Sequence, residues 1–301
     1  MEAWIAITLG AAFLQNLRSS LQKHLKGKMG TTGATFVRFG FGMPFVLALI
    51  SILHWNGGYS FPSLTGKFAA WATVGALGQI AATFLLVHLF SHRNFAVGTA
   101  YSRTEPAQAA LFGLILLGES ISFGTIFAIA VCVAGVMLIS VARVNLTFRS
   151  LATSIGQRTA LIGLASGTLF GLSAVAYRAA SLSLGGPNYF VQAAVTLACA
   201  ITLQTVLMLI WIVLRERHEF ANIVRAWKPS LLTGVAGALA SLGWFTAMTL
   251  QNAAVVKAVA QVEMLLAFAT AAFIFKEKIN RLETLGCALI AAGVVLIVLL
   301  R

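Results

Sequence analysis

The stretch NFAVGTAYSRTEPAQAALFGLILLGES, residues 94–120, returns later in the chain as NAAVVKAVAQVEMLLAFATAAFIFKEK, residues 252–278. Sliding 94–143 onto 252–301 needs no gap. Asn94 meets Asn252, Glu105 meets Glu263, Glu119 meets Glu277, Ile121 meets Ile279, Ala134-Gly135-Val136 meets Ala292-Gly293-Val294, and Arg143 meets Arg301. About fifteen of the fifty positions are identical. Apolar helices match often by chance, but paired glutamates and a shared end point do not. The earlier part of each half fits more loosely, with Arg38 falling near Gln192. The chain reads as two copies of one unit.

Each copy is too apolar for water. Of 301 residues 59% are hydrophobic and 10% charged, where a soluble domain carries about 25% charged residues. A membrane span needs about 20 mostly apolar residues, and ten such runs follow one another: 3–22, 34–54, 69–90, 95–117, 121–141, 159–182, 188–214, 230–250, 254–275 and 282–300. Connectors are short, and Asn56-Gly57-Gly58, Gly185-Gly186-Pro187 and Lys228-Pro229 supply turn chemistry. The first run holds Gln15, Asn16 and Arg18 and has no basic leader, so it reads as a retained helix and not a signal peptide. The expected fold is an all-α membrane protein with ten transmembrane helices as two inverted five-helix repeats. The first repeat covers 1–143, a connector 144–158, and the second repeat 159–301. Five spans per half, an odd number, make the second half enter the membrane in the opposite sense. Inverted repeats of this kind build secondary transporters with a solute site at mid-membrane.

The formal charge of +13 lies mostly in connectors: Lys23, Lys26 and Lys28; Arg143, Arg149 and Arg158; Arg215, Arg217, Arg225 and Lys228; Lys276, Lys278 and Arg281. That is topology-setting charge and not a nucleic-acid surface, for which no soluble domain is left. The basic connectors follow the odd-numbered spans, which puts them in the cytoplasm and both termini outside. Cys132, Cys199 and Cys287 stand singly, without metal-ligand or disulfide spacing. No metal and no cofactor is expected. The partners are a small-molecule solute and membrane lipid, and a monomer is the expected state.

Ionisable residues inside spans cost a few kcal/mol on insertion scales and invite a functional reading. Glu105 and Glu263 lie mid-span and match under the repeat. On helix four, Gly98, Tyr101, Ser102, Glu105 and Gln108 share a face by the 3.6-residue period, a polar stripe fit for a solute path. Arg103, two positions from Glu105, either neutralises a solute carboxylate or pairs with a glutamate of another helix. Gln79 and Thr83 on helix three and Trp244 on helix eight could face the same cavity. Arg18, Arg38 and Lys257 stand near helix ends, where snorkelling to the interface is the default. Cations outnumber acids, so the expected cargo bears a carboxylate. Pro106 should bend helix four just past Glu105, and Gly163, Gly167 and Gly171 should let another helix approach helix six.

Asn94-Phe-Ala-Val-Gly98, Glu105-Pro106, Leu117-Gly118-Glu119 and Gly135-Val136, doubled as Asn252-Ala-Ala-Val255, Lys276-Glu277 and Gly293-Val294, resemble an EamA-type half, the ten-helix branch of the drug/metabolite transporter superfamily. Val37-Arg38-Phe39 is similar to that family's second helix. The resemblance covers the whole chain in helix number and layout. It implies an exporter of small amphipathic or zwitterionic metabolites such as amino acids, in a bacterial inner membrane. Two features depart from the pattern: Met264 stands where Pro106 repeats, and the family's cytoplasmic termini oppose the charge reading. The small four-helix relatives use a glutamate in the first helix as proton carrier, and here that helix has no acid. The chain has neither a phosphate-binding G-x-x-x-x-G-K-[ST] loop nor H-E-x-x-H or G-x-S-x-G, and it lacks aspartate entirely, which argues against ATP drive and against an enzyme. The alternatives are an intramembrane enzyme, a channel and a helix-bundle scaffold. A reporter that folds only in the cytoplasm, fused after Arg301, is expected to stay silent and one fused after residue 150 to signal; the reverse pattern overturns the charge-based orientation.

Overall fold

The computed structural model of the chain describes residues 2–92, 95–143, 157–186, 188–269 and 280–300. Asn94, Ile279, Arg301, the Lys276–Lys278 charges and all of the 144–158 connector except Gln157 and Arg158 lie outside the described residues. The described part is helical throughout, in fourteen helices: α1 Ala3–Leu25, α2 Thr31–Gly40, α3 Met43–Trp55, α4 Gly66–Leu89, α5 Phe95–Ser102, α6 Glu105–Leu117, α7 Phe123–Arg143, α8 Arg158–Ser183, α9 Tyr189–Arg215, α10 Glu219–Arg225, α11 Trp227–Leu250, α12 Ala253–Val259, α13 Val262–Ala269 and α14 Arg281–Leu300. Local sequence sets several ends. Thr65 caps α4 by accepting from Phe68 N, and Asn188 caps α9 by accepting from Phe190 N and Val191 N. Gly118, left-handed at φ 65°, closes α6: its N–H donates to the Leu114 carbonyl and the Glu119 N–H to the Gly113 carbonyl.

Among the described residues seven helical segments are long and apolar enough to cross a membrane: Thr31–Trp55, Gly66–Leu89, Phe123–Ser140, Arg158–Ser183, Tyr189–Arg215, Trp227–Leu250 and Arg281–Leu300. Three of the ten runs read from the sequence are missing from that set: the first and fourth carry polar or charged side chains, and the ninth, which also carries charge, continues into residues outside the described part. The first, α1, is long but carries Gln15, Asn16 and Arg18. The fourth is broken into α5 and α6 and carries Arg103 and Glu105; the ninth is broken into α12 and α13 and carries Lys257 and Glu263. In the fourth and ninth runs charged groups and broken backbone occur together.

Eight of the ten runs close a ring. In order of contact it passes from α1 to α11, to α2 and α3, to α9, to α4, to α8, to α5 and α6, to α12 and α13, and back to α1. Exchanging each run with its repeat partner (one with six, two with seven, three with eight, four with nine) returns the same ring. The contact network therefore has an internal two-fold relation between the halves. The remaining pair, α7 and α14, packs outside against α5, α6, α12 and α13. Its contact is also reciprocal: a methyl on Gly135 would lie 2.7 Å from the Gly286 carbonyl oxygen, and one on Gly286 2.7 Å from the Gly135 carbonyl oxygen. Bare backbone on both sides is what lets these helices touch.

The same device joins α8 to helix four, as expected from the glycine spacing. A methyl on Gly163 would run into the Gly98 backbone, one on Gly167 would sit 2.8 Å from the Ser102 carbonyl oxygen, and one on Gly171 3.1 Å from Ala109 N. Gly163→Ala is expected to lower the thermal unfolding temperature in detergent, by the roughly 1–3 kcal/mol typical of overpacking. Gly10→Ala, whose added methyl meets nothing within 4 Å, should leave it unchanged or raise it. Equal stability of both variants contradicts the backbone contact.

Candidate functional site

The breaks in helices four and nine lie on neighbouring members of the ring, since α6 packs on α12. Helix four breaks at Arg103–Thr104, before Glu105 and not beyond it as the proline suggested. Pro106 lacks an N–H and its ring opposes the carbonyl of the preceding turn, so the disruption falls on its N-terminal side and Pro106 opens α6. Helix nine breaks at Ala260–Gln261, nearly the same repeat position, with no proline. Each break leaves a glutamate in the first turn of the helix that resumes, Glu105 in α6 and Glu263 in α13. Helix N-termini favour anions. Lys257 stands in the last turn of α12, where the dipole favours a cation.

The charges then pair crosswise. Arg103 Nη1 of helix four contacts Glu263 Oε1 of helix nine, and Lys257 Nζ of helix nine lies 2.8 Å from Glu105 Oε1 of helix four. Of the two readings of Arg103, the pairing with another helix's glutamate is the one present. Lys257 also sits 4.5 Å over the centroid of the Trp244 ring, a cation–π contact. It does not snorkel: it is 8% exposed. Arg18 and Arg38, expected to snorkel as well, are 2% and 3% exposed. The error lies in the helix ends. Helix α1 runs on to Leu25 and α2 starts at Thr31, so both residues stand about two turns inside.

Two small adjoining cavities lie among these side chains. One, about 80 Å³, is lined by Arg18, Arg103, Glu105, Lys257 and Ser102, and reaches Phe90 and Thr99 toward the odd-connector end. The other, about 20 Å³, is lined by Arg38, Gln79, Tyr177, Trp244 and Phe245. Gln15, Phe170 and Lys257 border both. Gln79 is held in a polar triad: Gln204 Nε2 donates to Gln79 Oε1 at 2.9 Å and to Tyr177 Oη at 3.0 Å, and Tyr177 Oη donates to Gln79 Oε1 at 3.2 Å. Glu263 is buried behind its pairing with Arg103. Tyr101 and Gln108 border neither cavity. The Gln108 amide donates to Thr104 Oγ1, and its oxygen faces Gly167 of α8, because the break ends the continuous face that an unbroken helix would present. Arg18, Arg38, Phe170 and Tyr177 join the cavity lining without having been singled out for it; the stripe Gln15, Arg18, Ser19 and Gln22 on helix one was the available signal.

A larger cavity, about 520 Å³, lies elsewhere, between α4 and α9, lined chiefly by apolar side chains such as Leu77, Phe84, Met208 and Trp211. Leu77 and Trp211 are half exposed. It opens on the outer flank of the bundle and holds none of the paired charges.

Both ends of the bundle are tied by polar clasps. At the end bearing the even connectors, Arg178 of α8 pairs with Glu119 and donates to the Met248, Thr249 and Gln251 carbonyls at the C-terminus of α11 and to Asn252 Oδ1. At the other end, both carboxylate oxygens of Glu219, 2% exposed, accept from Gly30 N at the start of α2, and Glu216 accepts from Thr32 Oγ1 and Trp211 Nε1. Sequence reading missed Glu219, because it stands in a basic connector that looked solvated.

Long apolar helices with buried charges between them are those of a multi-pass membrane protein. The EamA-like transporter family model matches residues 2–141 and again 157–299, and the chain belongs to that family. No curated protein sequence matches it. A solved crystal structure superposes with a TM-score of 0.72 at 17% identity, over 99% of this chain and 97% of the other; at that identity the likeness speaks to the fold alone.

The crossed pairing makes a stability prediction. Glu105→Gln and Glu263→Gln each strand a cation and should lower the unfolding temperature. Adding Lys257→Met to the first and Arg103→Met to the second should recover much of the loss, with a coupling on the order of 1–3 kcal/mol per pair. Strictly additive losses in both thermal-unfolding cycles would show that the partners do not depend on each other.

Proposed function

We propose that this chain is a secondary transporter, an exporter of small amphipathic or zwitterionic metabolites such as amino acids. It works by alternating access at the central cavity between repeats 1–143 and 159–301. In this reading the ten runs are ten spans, the halves are inverted, and the protein is a monomer in a bacterial inner membrane. The observation that carries the proposal is the crossed ion pairing at two broken helices beside a polar cavity. Discontinuous helices of this kind form the solute sites of inverted-repeat transporters, and freed backbone at that depth is tolerated where it lines a cavity or is buried in protein. The family supports transport; the direction and the amino-acid class rest on the resemblance and on the mixed charge of the cavity lining.

The proposed site comprises Glu105, Glu263, Arg103, Gln79 and Trp244, with Tyr101 and Gln108 packed behind. The cavity reaches toward the odd-connector end while the Arg178 clasp ties the other. With odd connectors in the cytoplasm, this is the inward-facing arrangement from which an exporter loads. Both clasps are made in this arrangement, so movement of the halves would have to open one while the other holds.

Counterflow decides the matter. Proteoliposomes loaded with an unlabelled amino-acid mixture should take up labelled amino acid transiently above equilibrium, and the uptake should saturate. Unsaturable, ion-like conductance overturns the reading in favour of a channel, and chemical conversion of the solute overturns it in favour of an enzyme.

A further inference from the structure

We propose that Arg18 and Arg38, with the indole N–H of Trp244, form an oxyanion subsite in the central cavity that takes a carboxylate or phosphate group of the cargo. This rests on the transport reading and assigns its charge recognition to residues other than the paired Arg103 and Lys257.

The described structure holds four deeply placed cations around the two cavities, and they fall into two classes. Arg103 and Lys257 each have a carboxylate partner. Arg18 and Arg38 have none. Arg18 Nη2 reaches only the Ser19 hydroxyl, at 3.3 Å, and Arg38 Nη1 only the Thr83 hydroxyl, at 2.8 Å. Arg38 also lies 5.1 Å from the centroid of the neighbouring Phe39 ring. The Nε atoms of both arginines are buried without a hydrogen-bond partner, and so is Trp244 Nε1. All three orphans are donors. A guanidinium has five N–H donors and no acceptor, and an indole has one donor, so only an acceptor can satisfy them, and a charged one satisfies the guanidiniums best.

Geometry brings the two arginine stems together and sets Trp244 beside Arg38 in the adjoining cavity. The stems of Arg18 and Arg38 converge on α11 at Gly237: a methyl there would lie 3.4 Å from Arg18 Cδ and 3.2 Å from Arg38 Cγ. Trp244 stands two turns further along the same helix. Arg18 lines the 80 Å³ cavity, Arg38 and Trp244 the 20 Å³ cavity, and Lys257 borders both. Buried polar groups are normally paired, because an unpaired one keeps its full desolvation penalty. Two guanidiniums left in that condition beside a cavity, while their neighbours are neutralised, mark where a ligand's charge belongs.

The test is ligand-induced thermal stabilisation of the full-length purified protein, with L-phenylalanine, L-phenylalaninamide and inorganic phosphate as probes. A probe that binds should raise the unfolding temperature of the wild-type chain by about 2–4 °C at saturating concentration. The expected result is a rise with phenylalanine or phosphate and none with the amide, lost in Arg18→Gln and in Arg38→Gln and kept in the connector control Arg217→Gln. Which of the two anions gives the rise tells carboxylate from phosphate. Removing an unpaired buried cation should also leave the ligand-free temperature of the two glutamine variants at or above wild type. If those variants fail to fold, Arg18→Lys and Arg38→Lys keep charge but lose the planar fork, and Trp244→Phe removes only the N–H; each should weaken the response several-fold. The inference is overturned if the amide stabilises as well as the acid, if neither anion stabilises, or if the arginine variants keep the full rise. Saturable counterflow together with any of those outcomes leaves the transport reading standing, whereas an anion-dependent rise without flux keeps the subsite and removes the transport reading.

Discussion

Arg103 with Glu263, and Lys257 with Glu105, join helices four and nine so that each carboxylate is met by a cation from the other half. An ionised group in a low-dielectric interior carries a penalty of several kcal/mol unless partnered, and among the described residues neither half offers its own glutamate a cation in contact. The two repeats are thus bound by an exchange of charge as well as by apolar packing. The helix breaks belong to the same arrangement. Where a helix restarts, its first N–H groups lack intrahelical partners and present positive potential. Glu105 and Glu263 stand in those restarting turns. Placing the acids there stabilises them from the backbone side, while the cations complete the shell from the neighbouring helix of the other half.

The two-fold relation is followed by the acids and abandoned by the cations. Under the repeat Lys257 corresponds to Thr99 and Arg103 to Gln261, so the partner of one glutamate comes from one turn before its own helix's break and that of the other from the break itself. The pairs are unequal in environment: the Arg103 side chain is 29% exposed and the Lys257 side chain 10%. An arrangement with equal pairs would favour neither end of the cavity. On the transport reading, unequal pairs bias the resting state, in keeping with a cavity that reaches one end of the bundle while Arg178 holds the other closed.

What could be read from the sequence was whatever depends on local composition and on the duplication. Seven of the ten apolar runs are helical segments of spanning length, six of them single helices and the second interrupted at Phe41–Gly42, and the glycines of α8 pack as their spacing suggested. The ring order was not legible, because apolar helix faces say that they are buried but not against which neighbour. The depth of Arg18, Arg38 and Lys257 was lost through helix ends misplaced by about three residues in the first two cases and by an overextended snorkelling rule in the third. The break in helix nine had no local signal, since Ala260 and Gln261 are compatible with continuous helix; only its repeat relation to Pro106 pointed there. Gln79 and Trp244 border a cavity, whereas Tyr101 and Gln108 were placed on its face by assuming an unbroken helix four.

The contrast between the two classes of buried cation separates what holds this bundle together from what it holds in reserve. A pairing satisfied within the protein stabilises one arrangement and gives a ligand little to improve. Arg18 and Arg38 keep unpaired donors, and a fold selected for stability alone would do better with apolar side chains of similar volume at both places. Gly237 shows that the bundle makes room for their stems. The neighbouring Trp244 is engaged on its face by Lys257 but not at its N–H. On the proposed reading, the paired charges and the unpaired donors divide the cavity lining into a set that holds the halves together and a set that receives the ligand. Because Lys257 borders both cavities, an anion bound by the second set would act on the first through the one cation they share.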